Sequence, residues 1–403
     1  MIKYILTGNK ADCCGCKACE QICAHHTLSL QEDEEGFLYP VLDESVCVNC
    51  GLCEKVCPMS YGEELLHENG KILAAQNKDG KDLSTSSSGG GFVAIAKEIL
   101  NLGGVVYGAA FEDGPVLCHQ RVTTVDDLEK LKGSKYLQSD VRDTYKQVKA
   151  DLLDNRYVYF VGTPCQIAGL RLFLRKDYEK LLTSDLVCHG TPSNKIFNIV
   201  VDHIGQKVKG KLKNYSFRDK RVRGWSCSSS SSWEKGGREV SLIYSKDMEA
   251  YFNAFISGEL MRMSCYSCPY ARFERCGDIT LADYWGVRQN HPNFPKIGKG
   301  VSLLIINSTK GKALLDRIAD KFHLEPISKE VAVTSNDNLV RPSVLKPGRK
   351  NSYQLIMSDY NQFIDKYYEG NYLKNKIRVY IEYYIRKYPF LFSVISFLKK
   401  KTS

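Results

Sequence analysis

Short apolar runs alternate with amphipathic segments over the middle of the chain. The runs KILAAQ, GGVVYGAAF and YVYFVG, which begin at residues 71, 103 and 157, are typical of buried strands. Between them, VAIAKEIL and RDTYKQVKADLL place apolar residues at the spacing of one helix face. Alternating strands and helices predict an α/β domain, in which ligands bind at the carboxyl ends of the strands.

The two ends of the chain differ from this middle part. Residues 1–62 hold four lysines and nine acidic residues, whereas residues 371–401 hold eight basic residues and one glutamate. At 403 residues the chain is longer than most single cores. We therefore predict a small α+β domain over 1–62, a larger α/β domain over 63–345 and a basic helical extension over 346–403. Positive charge confined to a tail is not the pattern of a nucleic-acid-binding face, so no nucleic-acid partner is expected.

Sixteen cysteines are the most unusual feature of the composition. The first residues, MIKYILTGNK, lack the long apolar core of a signal peptide, and no run reaches the roughly 18 apolar residues of a membrane span. We therefore expect a cytoplasmic protein. Because disulfides are rare in that compartment, the cysteines are expected to bind metal.

Eight of the cysteines form a repeated motif in the first domain. The runs CCGCKACEQIC and CVNCGLCEKVCP both contain the spacing C-x2-C-x2-C-x3-C. This is the spacing of two-cluster bacterial ferredoxins, in which the fourth cysteine of each run binds the other cluster. It predicts two [4Fe-4S] clusters, one held by Cys13, Cys16, Cys19 and Cys57, the other by Cys47, Cys50, Cys53 and Cys23. Two zinc sites are the alternative that the spacing favours less, and Cys14 is a spare thiol in the first run.

Two turns of the α/β domain carry candidate chemistry. The run STSSSGGGF begins at residue 84 and precedes a predicted helix. A glycine-rich turn at a helix N-terminus is either a phosphate site or a flexible loop. Cys165 follows a predicted strand and begins the next helix. It can be a metal ligand, a reactive thiol with a lowered pKa, or a small buried apolar residue.

A set of motifs follows in order along the second domain: SSGG, GSKYLQS, GTPCQIAGLR, CHGTPS, FRDK, CYSCPYA and GDITLADYWG. Through these motifs the chain resembles the coenzyme F420 hydrogenase/dehydrogenase beta-subunit family, with a ferredoxin domain attached. The resemblance implies an FAD-binding reductase domain with at least one further [4Fe-4S] cluster. The family includes subunits of archaeal hydrogenases and formate dehydrogenases, ferredoxin-dependent reductases of chlorophyll intermediates, and proteins encoded among bacterial surface-polysaccharide genes.

The remaining cysteines offer ligands for a third cluster. Cys165 and Cys188 each follow a predicted strand, and the strand ends of a parallel sheet meet at one edge. Cys265 and Cys268 form a C-x2-C turn whose thiolates can bind adjacent iron corners. Together with the resemblance, these positions predict a [4Fe-4S] site made of all four thiolates. Cys276 is a rival ligand.

The resemblance also implies a flavin, which exchanges both one and two electrons and would join cluster chemistry to hydride transfer. Family motif positions correspond to these candidate FAD contacts: Ser87, Ser88, Gly89, Gly90, Lys135, Gln138, Ser139, Thr163 and Gln166. His189 is either a proton donor or a structural hydrogen-bonding residue. The basic loop FRDKRVRGW, from residue 217, is either a site for an anionic substrate or partner, or a solvated loop. Asp278, Asp283 and Trp285 are expected to shape the pocket.

The end of the chain combines aromatic residues with lysines. The apolar run over residues 388–398 is too short to span a bilayer. Two interpretations of this tail stay open. It either lies at an anionic membrane surface, on the inner face of the membrane, or packs against the body or a partner subunit.

These features predict an iron–sulfur flavoprotein that passes electrons from a reduced carrier through its clusters to FAD and then to an organic acceptor. The carrier is expected to be ferredoxin or a deazaflavin or nicotinamide system, and surface-polysaccharide metabolism is one expected setting. The first alternative is an electron-transfer subunit of a larger redox complex, with no substrate of its own. The second is a scaffold whose clusters only stabilise the fold. A homo-oligomer is a further expectation.

Overall fold

The computed structural model of the protein describes residues 1–68 and 70–388. Its strands are β1 (Leu28–Glu32), β2 (Leu38–Leu42), β3 (Ile72–Asn77), β4 (Val105–Phe111), β5 (Leu117–Val122), β6 (Val158–Gly162), β7 (Leu181–Leu186), β8 (Lys211–Ser216), β9 (Ser230–Lys235), β10 (Arg238–Leu242), β11 (Ile279–Asp283), β12 (Ser302–Ile306) and β13 (Phe322–Pro326).

The α-helices are α1 (Lys3–Thr7), α2 (Ala18–Ile22), α3 (Leu52–Lys55), α4 (Pro58–Tyr61), α5 (Gly80–Thr85), α6 (Gly91–Asn101), α7 (Thr144–Leu153), α8 (Pro164–Leu174), α9 (Asn194–Val208), α10 (Lys220–Arg223), α11 (Lys246–Ile256), α12 (Val287–Asn290), α13 (Thr309–Ile318), α14 (Lys329–Thr334), α15 (Arg349–Ser358), α16 (Tyr360–Tyr367) and α17 (Tyr372–Lys387). Short 3-10 turns connect several of them, including Asp127–Leu131 and Met263–Ser267. We call residues 1–62 the head and residues 70–371 the body.

An eight-stranded sheet forms the centre of the body, in the order β13-β3-β12-β11-β7-β6-β4-β5. Strands β11, β7, β6 and β4 are parallel, while the outer strands pair antiparallel. The predicted α/β class is confirmed, with a mixed sheet around a parallel centre. In the register of β6 with β7, Gly162 lies opposite Asp185, so the turns that follow both strands emerge at the same edge. A second, three-stranded sheet has the order β10-β9-β8.

The head consists of short helices around one hairpin, β1–β2, in which Leu28 lies opposite Leu42. Helix α2 begins after Lys17, with a φ of 61°, and α3 begins after Gly51, with a φ of 73°. Both values lie in the left-handed region, which reverses the chain within one residue. Each cysteine run therefore folds back on itself before its helix begins.

The head packs on the body through two apolar cores. In one, Phe37 and Tyr39 of the head pack with Phe197 of α9 and Tyr353 of α15. In the other, the buried Cys16 and Val56 join Tyr145 and Ile167 of the body. These cores cross the boundaries predicted at residues 62 and 345, because head, sheet and C-terminal helices share the same apolar contacts.

The C-terminal helix α17 packs on the short helix α10. Its Val379 is 3% exposed and lies in a small core with Val222, Ile243 and Tyr244. Within residues 1–68 and 70–388, no helix combines the length and apolar character that crossing a membrane requires. Apart from Tyr388, the apolar run predicted over 388–398 lies outside the described residues.

Candidate functional site

The outer cavity of the head has a volume of about 160 Å3 and opens toward solvent. Its cysteines are Cys23, Cys47, Cys50 and Cys53. Cys50 is exposed, and the amino group of Met1 donates to Glu54 at 2.7 Å beside this cavity. These four cysteines are the second predicted cluster set, which the fold brings together around one space.

The inner cavity of the head faces the body. Its predicted ligands are Cys13, Cys16, Cys19 and Cys57, all four of which line it. Burial, together with the neighbouring thiols of Cys13 and Cys57, raises the pKa of the Cys19 thiol well above its ordinary value. Helix α8 covers this side so closely that a Cβ atom at Gly169 would lie 3.0 Å from the sulfur of Cys16.

The chemistry of these donor sets fits iron–sulfur clusters better than zinc. Among the residues that the structure describes, no three His, Cys, Asp or Glu side chains come close enough to hold one metal ion. A zinc ion draws its ligands to about 2.3 Å, whereas each iron of a cubane binds a single thiolate, so four cysteines can surround a larger space. Buried thiols in such a group become thiolates only when a cation among them compensates their charge.

Arg262 is a buried cation at the contact between head and body. It is 1% exposed, and its guanidinium donates to the carbonyl of Cys13 at 2.7 Å, to the carbonyl of Leu38 at 2.8 Å and to the sulfur of Cys13 at 3.5 Å. The same group lies over the ring of Tyr39, 4.1 Å from its centre. Within the described residues it forms no ion pair with a carboxylate. Its positive charge is therefore directed at the inner thiols.

A third group of cysteines lies where β6 and β7 end. Its predicted members, Cys165, Cys188, Cys265 and Cys268, line one cavity. Cys165 is the second residue of α8, whose start is fixed by hydrogen bonds between Thr163 and Gln166. Burial, with the charges of the other three thiols, raises the pKa of Cys188 well above normal. Burial also raises the pKa of Cys268 to about 12.

The rival ligand Cys276 lies outside this group. It is fully buried, and its thiol donates to the carbonyl of Pro164 at 3.2 Å within the core that packs against α8. It does not line the third cavity. Of the other cysteines, Cys118 is buried in β5, and Cys227 lines the wide cavity of the body.

The cavities form a series with shared walls. The outer and inner cavities share Ile2, and the inner and third cavities share Cys14 and Met59. The third cavity then shares Cys188 and His189 with the body cavity. Cys14 had no assigned role in the sequence, yet its thiol lies between Cys16 of the head and Cys165 of the body, within hydrogen-bonding contact of both.

The body cavity, of about 500 Å3, lies at the carboxyl edge of the sheet. Seven of the nine predicted flavin contacts line it: Ser87, Ser88, Gly90, Lys135, Ser139, Thr163 and Gln166. The turn before α6 reverses at Gly90, with a φ of 82°, so that the first amides of this eleven-residue helix face the cavity wall. A turn of this form is one of the two alternatives considered for the run, a phosphate site or a flexible loop, and binding of a phosphate stays a prediction.

Gly89 and Gln138 do not line the body cavity. Gly89 packs on the sheet, where a Cβ atom would lie 2.2 Å from the carbonyl oxygen of Ala75, and its amide donates to Ser302. The side-chain amide of Gln138 donates to the carbonyl of Cys14 at 2.8 Å and so faces the third cavity. Their assignment as flavin contacts is corrected accordingly, because both are used in packing.

Lys135 lines the body cavity, but its ammonium group is bonded to backbone carbonyls and is not free to bind a phosphate. The group donates to the carbonyls of Lys130, Leu131 and Lys132, which end the 3-10 turn Asp127–Leu131. Burial lowers its pKa to about 7. The carbonyls that end this turn therefore hold the ammonium, which leaves it engaged within the wall of the cavity.

His189 lies in the wall between the third cavity and the body cavity. Both ring nitrogens have partners: Nδ1 is 3.2 Å from Asn338 and from Ser343, and Nε2 is 3.2 Å from the carbonyl of Ile256. The ring also packs edge-on against Phe255. These contacts hold the wall in place, which is the structural alternative considered for this residue.

The basic loop over 217–225 is neither a free anion site nor a solvated loop. Arg218 is buried and forms an ion pair with Asp283. Lys220 donates to three carbonyls, including that of Ser88 at 2.6 Å. Arg221 and Arg223 pair with carboxylates of Asp219 and Glu382. The loop therefore joins the glycine-rich turn, β11 and α17.

Pocket-shaping residues lie at the end of β11. Asp283 and Trp285 line the body cavity, and the ring of Trp285, 43% exposed, stacks on Trp225 at 5.0 Å. Asp278 instead lies inside the sheet, where it accepts from the backbone and hydroxyl of Thr183. Two of the three expected residues thus face the cavity.

Comparison with known proteins identifies two domains of the chain. Residues 12–61 match the sequence profile of the 4Fe-4S dicluster domain, which makes the head an iron–sulfur domain. Residues 155–330 match the profile of the C terminus of the beta subunit of coenzyme F420 hydrogenase/dehydrogenase. The chain thus combines a 4Fe-4S dicluster domain with a domain of the coenzyme F420 hydrogenase/dehydrogenase beta-subunit type.

Two individual relatives each match a part of the chain. The F subunit of F(420)H(2) dehydrogenase from Methanosarcina mazei is 28% identical over 200 residues, which are 44% of this chain and 53% of that protein. The chain thus spans about half the length of this relative. A 7Fe ferredoxin of Hydrogenibacillus schlegelii is 32% identical over 80 residues, covering 19% of this chain and 92% of the ferredoxin.

Among solved structures, a chain of the F420-reducing [NiFe] hydrogenase complex from Methanosarcina barkeri is similar at 18% identity and a TM-score of 0.43. The alignment covers 75% of this chain and 91% of that one. The two sequence relatives are named as a dehydrogenase subunit and a ferredoxin, which gives no support to a role in surface-polysaccharide metabolism.

Proposed function

We propose that the chain is an electron-transfer protein of the F420 hydrogenase/dehydrogenase type that works with a redox partner. The observation that carries this proposal is the series of four cavities joined by shared walls, three of which are each lined by a predicted set of four cysteines, with Cys14 between the inner and third sets. A protein that used iron only to hold its fold would need no such continuity. The partner is expected to be a carrier such as ferredoxin or a nicotinamide or deazaflavin system.

Three cysteine sets would hold the clusters. The outer set of Cys23, Cys47, Cys50 and Cys53 and the inner set of Cys13, Cys16, Cys19 and Cys57 belong to the dicluster domain. The third set is Cys165, Cys188, Cys265 and Cys268. When bound, a [4Fe-4S] group exchanges one electron at a time. The outer set faces solvent, where a carrier can approach, and the third set faces the body cavity.

The body cavity is the proposed site of FAD, a cofactor that exchanges one or two electrons. Ser87 and Ser88, with the first amides of α6 beyond Gly90, would hold its phosphates. The hydroxyl of Ser87 already accepts from the amide of Ser134 at 2.8 Å, which ties this turn to the next one. Thr163 and Gln166 fix the start of α8 and so the wall that both Cys165 and the flavin would share.

A second candidate function is that of a reductase with an organic substrate of its own. One observation favours it: Trp285, 43% exposed, lines the body cavity, where its ring stacks on Trp225 and its ring centre lies 5.0 Å from the guanidinium of Arg218. Such a rigid aromatic surface suits a planar organic acceptor. The two candidates differ in one measurable property, since a reductase would turn over substrate without a partner subunit.

The first experiment is an analysis of iron, sulfide and flavin in full-length protein purified without oxygen. Three [4Fe-4S] clusters predict about twelve irons and one FAD per chain. Cys165→Ala is expected to lower the iron to about eight, while Cys276→Ala, which removes a buried thiol outside the third cavity, keeps about twelve. About eight irons in all three proteins would refute the third cluster, and absence of flavin would refute the FAD site.

A further inference from the structure

The helix α17 is attached by one face and leaves another face exposed. Val379 is buried against α10, and Tyr372, Tyr380 and Tyr383 pack around the same small core. Residues spaced by three and four along the rest of this sixteen-residue helix share a different face. They are Leu373, Ile377, Ile381, Tyr384 and, just after the helix, Tyr388.

All five of these side chains are largely exposed, from 42% for Tyr388 to 64% for Leu373. Single exposed apolar residues are ordinary, but five in one stripe on one helix face indicate an interaction surface. We call them the apolar stripe. The helix that carries the stripe holds five basic residues and one glutamate, and that glutamate is paired with Arg223.

Next to the stripe lies a wide cationic cavity of about 1160 Å3. It is bounded by α10, the 3-10 turn Ile297–Lys299 and the last turn of α17. Four basic residues that line it form no ion pair within residues 1–68 and 70–388: Lys296, Lys299, Arg386 and Lys387. Its one carboxylate, Glu382, is neutralised by Arg223. The cavity therefore presents uncompensated positive charge beside an apolar surface.

We propose that α17 and the cationic cavity form a docking surface for an anionic lipid bilayer. The charge of the cavity is complementary to lipid phosphates, and the stripe gives apolar side chains that can enter the boundary between headgroups and acyl chains. At sixteen residues, α17 is too short to cross a bilayer and would lie in its plane. The sequence that follows repeats this composition, with an apolar stretch over 389–398 and then three lysines.

This surface is independent of the electron-transfer proposal, because none of its residues lines a cysteine cavity or the body cavity. It would place the protein where a lipid-soluble or membrane-bound redox partner is found. The two proposals therefore fail separately: loss of lipid binding leaves the iron and flavin content unchanged, and loss of clusters leaves lipid binding to be measured.

The test is co-sedimentation of the full-length, cluster-loaded protein with vesicles. One set contains phosphatidylcholine only, and the other contains phosphatidylcholine mixed with phosphatidylglycerol. Binding is expected to the anionic vesicles only and to weaken as salt is raised, since charge attraction at a membrane surface is screened.

Two pairs of variants locate the surface. Ile377→Glu with Ile381→Glu is expected to lower the vesicle affinity by at least about tenfold, and Lys296→Glu with Lys299→Glu by about tenfold or more. The matched controls lie on α7: Leu153→Glu, at a residue 65% exposed, and Lys149→Glu, at an exposed lysine. Both controls are expected to bind like the wild type. Iron content and circular dichroism verify that each variant is folded.

Several results would overturn the proposal. Failure of the wild type to bind anionic vesicles would do so, as would equal binding to neutral ones. A third result concerns the tail. If removal of residues 389–403 abolishes binding while the stripe and cavity variants bind normally, the tail and not α17 is the membrane contact. Self-association in sedimentation velocity that the stripe variants abolish, without any vesicle binding, would make this face a contact between two copies of the chain.

Discussion

The head contains two cysteine cavities whose ligands come from two runs with the same spacing. The surroundings of the two cavities in the fold are opposite. The outer set includes the exposed Cys50 and is bordered by the chain's amino terminus. The inner set lies against the body, with Cys16 7% exposed and the guanidinium of Arg262 beside Cys13. The same cysteine motif therefore lies in two different surroundings. One set is open to solvent, where the proposed carrier could approach, and the other is built into the core of the molecule.

The largest difference is expected when each set loses a ligand. Cys16→Ser removes a thiol from the core shared with Tyr145 and Ile167 and leaves the other three thiols of the inner set crowded and half-buried without the proposed cluster. We expect a loss of more than about 4 kcal/mol in the free energy of unfolding, or failure to fold. Cys50→Ser is expected to cost about 1 kcal/mol or less, because the site is exposed. Anaerobic denaturant titration with iron analysis measures the loss of stability in both variants. Equal losses would show that the two sets do not differ in how much they stabilise the fold.

Arg262→Met tests the electrostatic part of the comparison. The carbonyls of Cys13 and Leu38 lose buried donors, which costs about 2–5 kcal/mol in total. Removal of a buried cation beside the inner thiols also disfavours an added electron there, so the reduction potential of the inner site should fall while the outer one keeps its value. Redox titration followed by electron paramagnetic resonance reads both.

The control for this variant is Arg142→Met, which breaks an exposed ion pair with Glu112. It is expected to change stability by about 1 kcal/mol or less and to move neither potential. Equal shifts of both potentials in Arg262→Met would show that the residue acts on the head as a whole.

Gly169→Ala tests how closely the body packs on the inner set. The added Cβ would lie 3.0 Å from the sulfur of Cys16 and 3.2 Å from the hydroxyl of Tyr145. Overpacking costs about 1–3 kcal/mol, and the higher helix propensity of alanine returns up to about 1 kcal/mol. We expect a net loss of about 1–2 kcal/mol, measured by thermal unfolding. Gly80→Ala, where the Cβ meets no atom within 4 Å, should be neutral or slightly stabilising.

The smallest expected effect is a pH dependence of stability that comes from His67, which contacts helix α8. The Nε2 atom of His67 accepts a hydrogen bond from Arg171 on α8 at 2.7 Å. A protonated His67 could no longer accept this hydrogen bond, and its positive charge would lie beside the guanidinium. Burial and the charge of Arg171 lower the pKa of His67 below 6.5. The unfolded chain therefore binds the proton more readily, and stability is lost as the pH falls below about 6.5. His67→Gln should flatten this slope in thermal unfolding between pH 7 and pH 5, relative to the wild type.

The sequence predicts best what depends on near neighbours. The two head sets follow from a spacing of two and three residues, and the positions of Cys165 and Cys188 follow from the rule that ligands gather at strand ends. The alternation of strands and helices likewise predicts the α/β class, which the fold confirms. Each of these predictions needs only a local pattern or one general rule of sheet topology.

What the sequence does not predict are contacts between distant segments. Arg262 and Cys13 are separated by 249 residues, and no local pattern distinguishes this arginine from a solvated one. The resemblance implies an FAD contact at Gly89, but the close packing of this glycine on β3 depends on how the turn meets the sheet, which a motif does not show. Cys14 was set aside as a spare thiol, since its position between two cavities depends on how the head docks.

The wall that the inner and third cavities share at Cys14 also bears on the order in which clusters are inserted and the head docks on the body. Docking of the head closes the inner and the third cysteine sets at once, because both lie along the same contact between head and body. Iron for the proposed inner and third clusters would therefore have to be delivered before the head docks on the body. A chain that docks empty would carry crowded thiols at this contact in place of metal. Cluster insertion and docking would then be coupled, and an unloaded chain is expected to be recognised by proteases as incompletely folded.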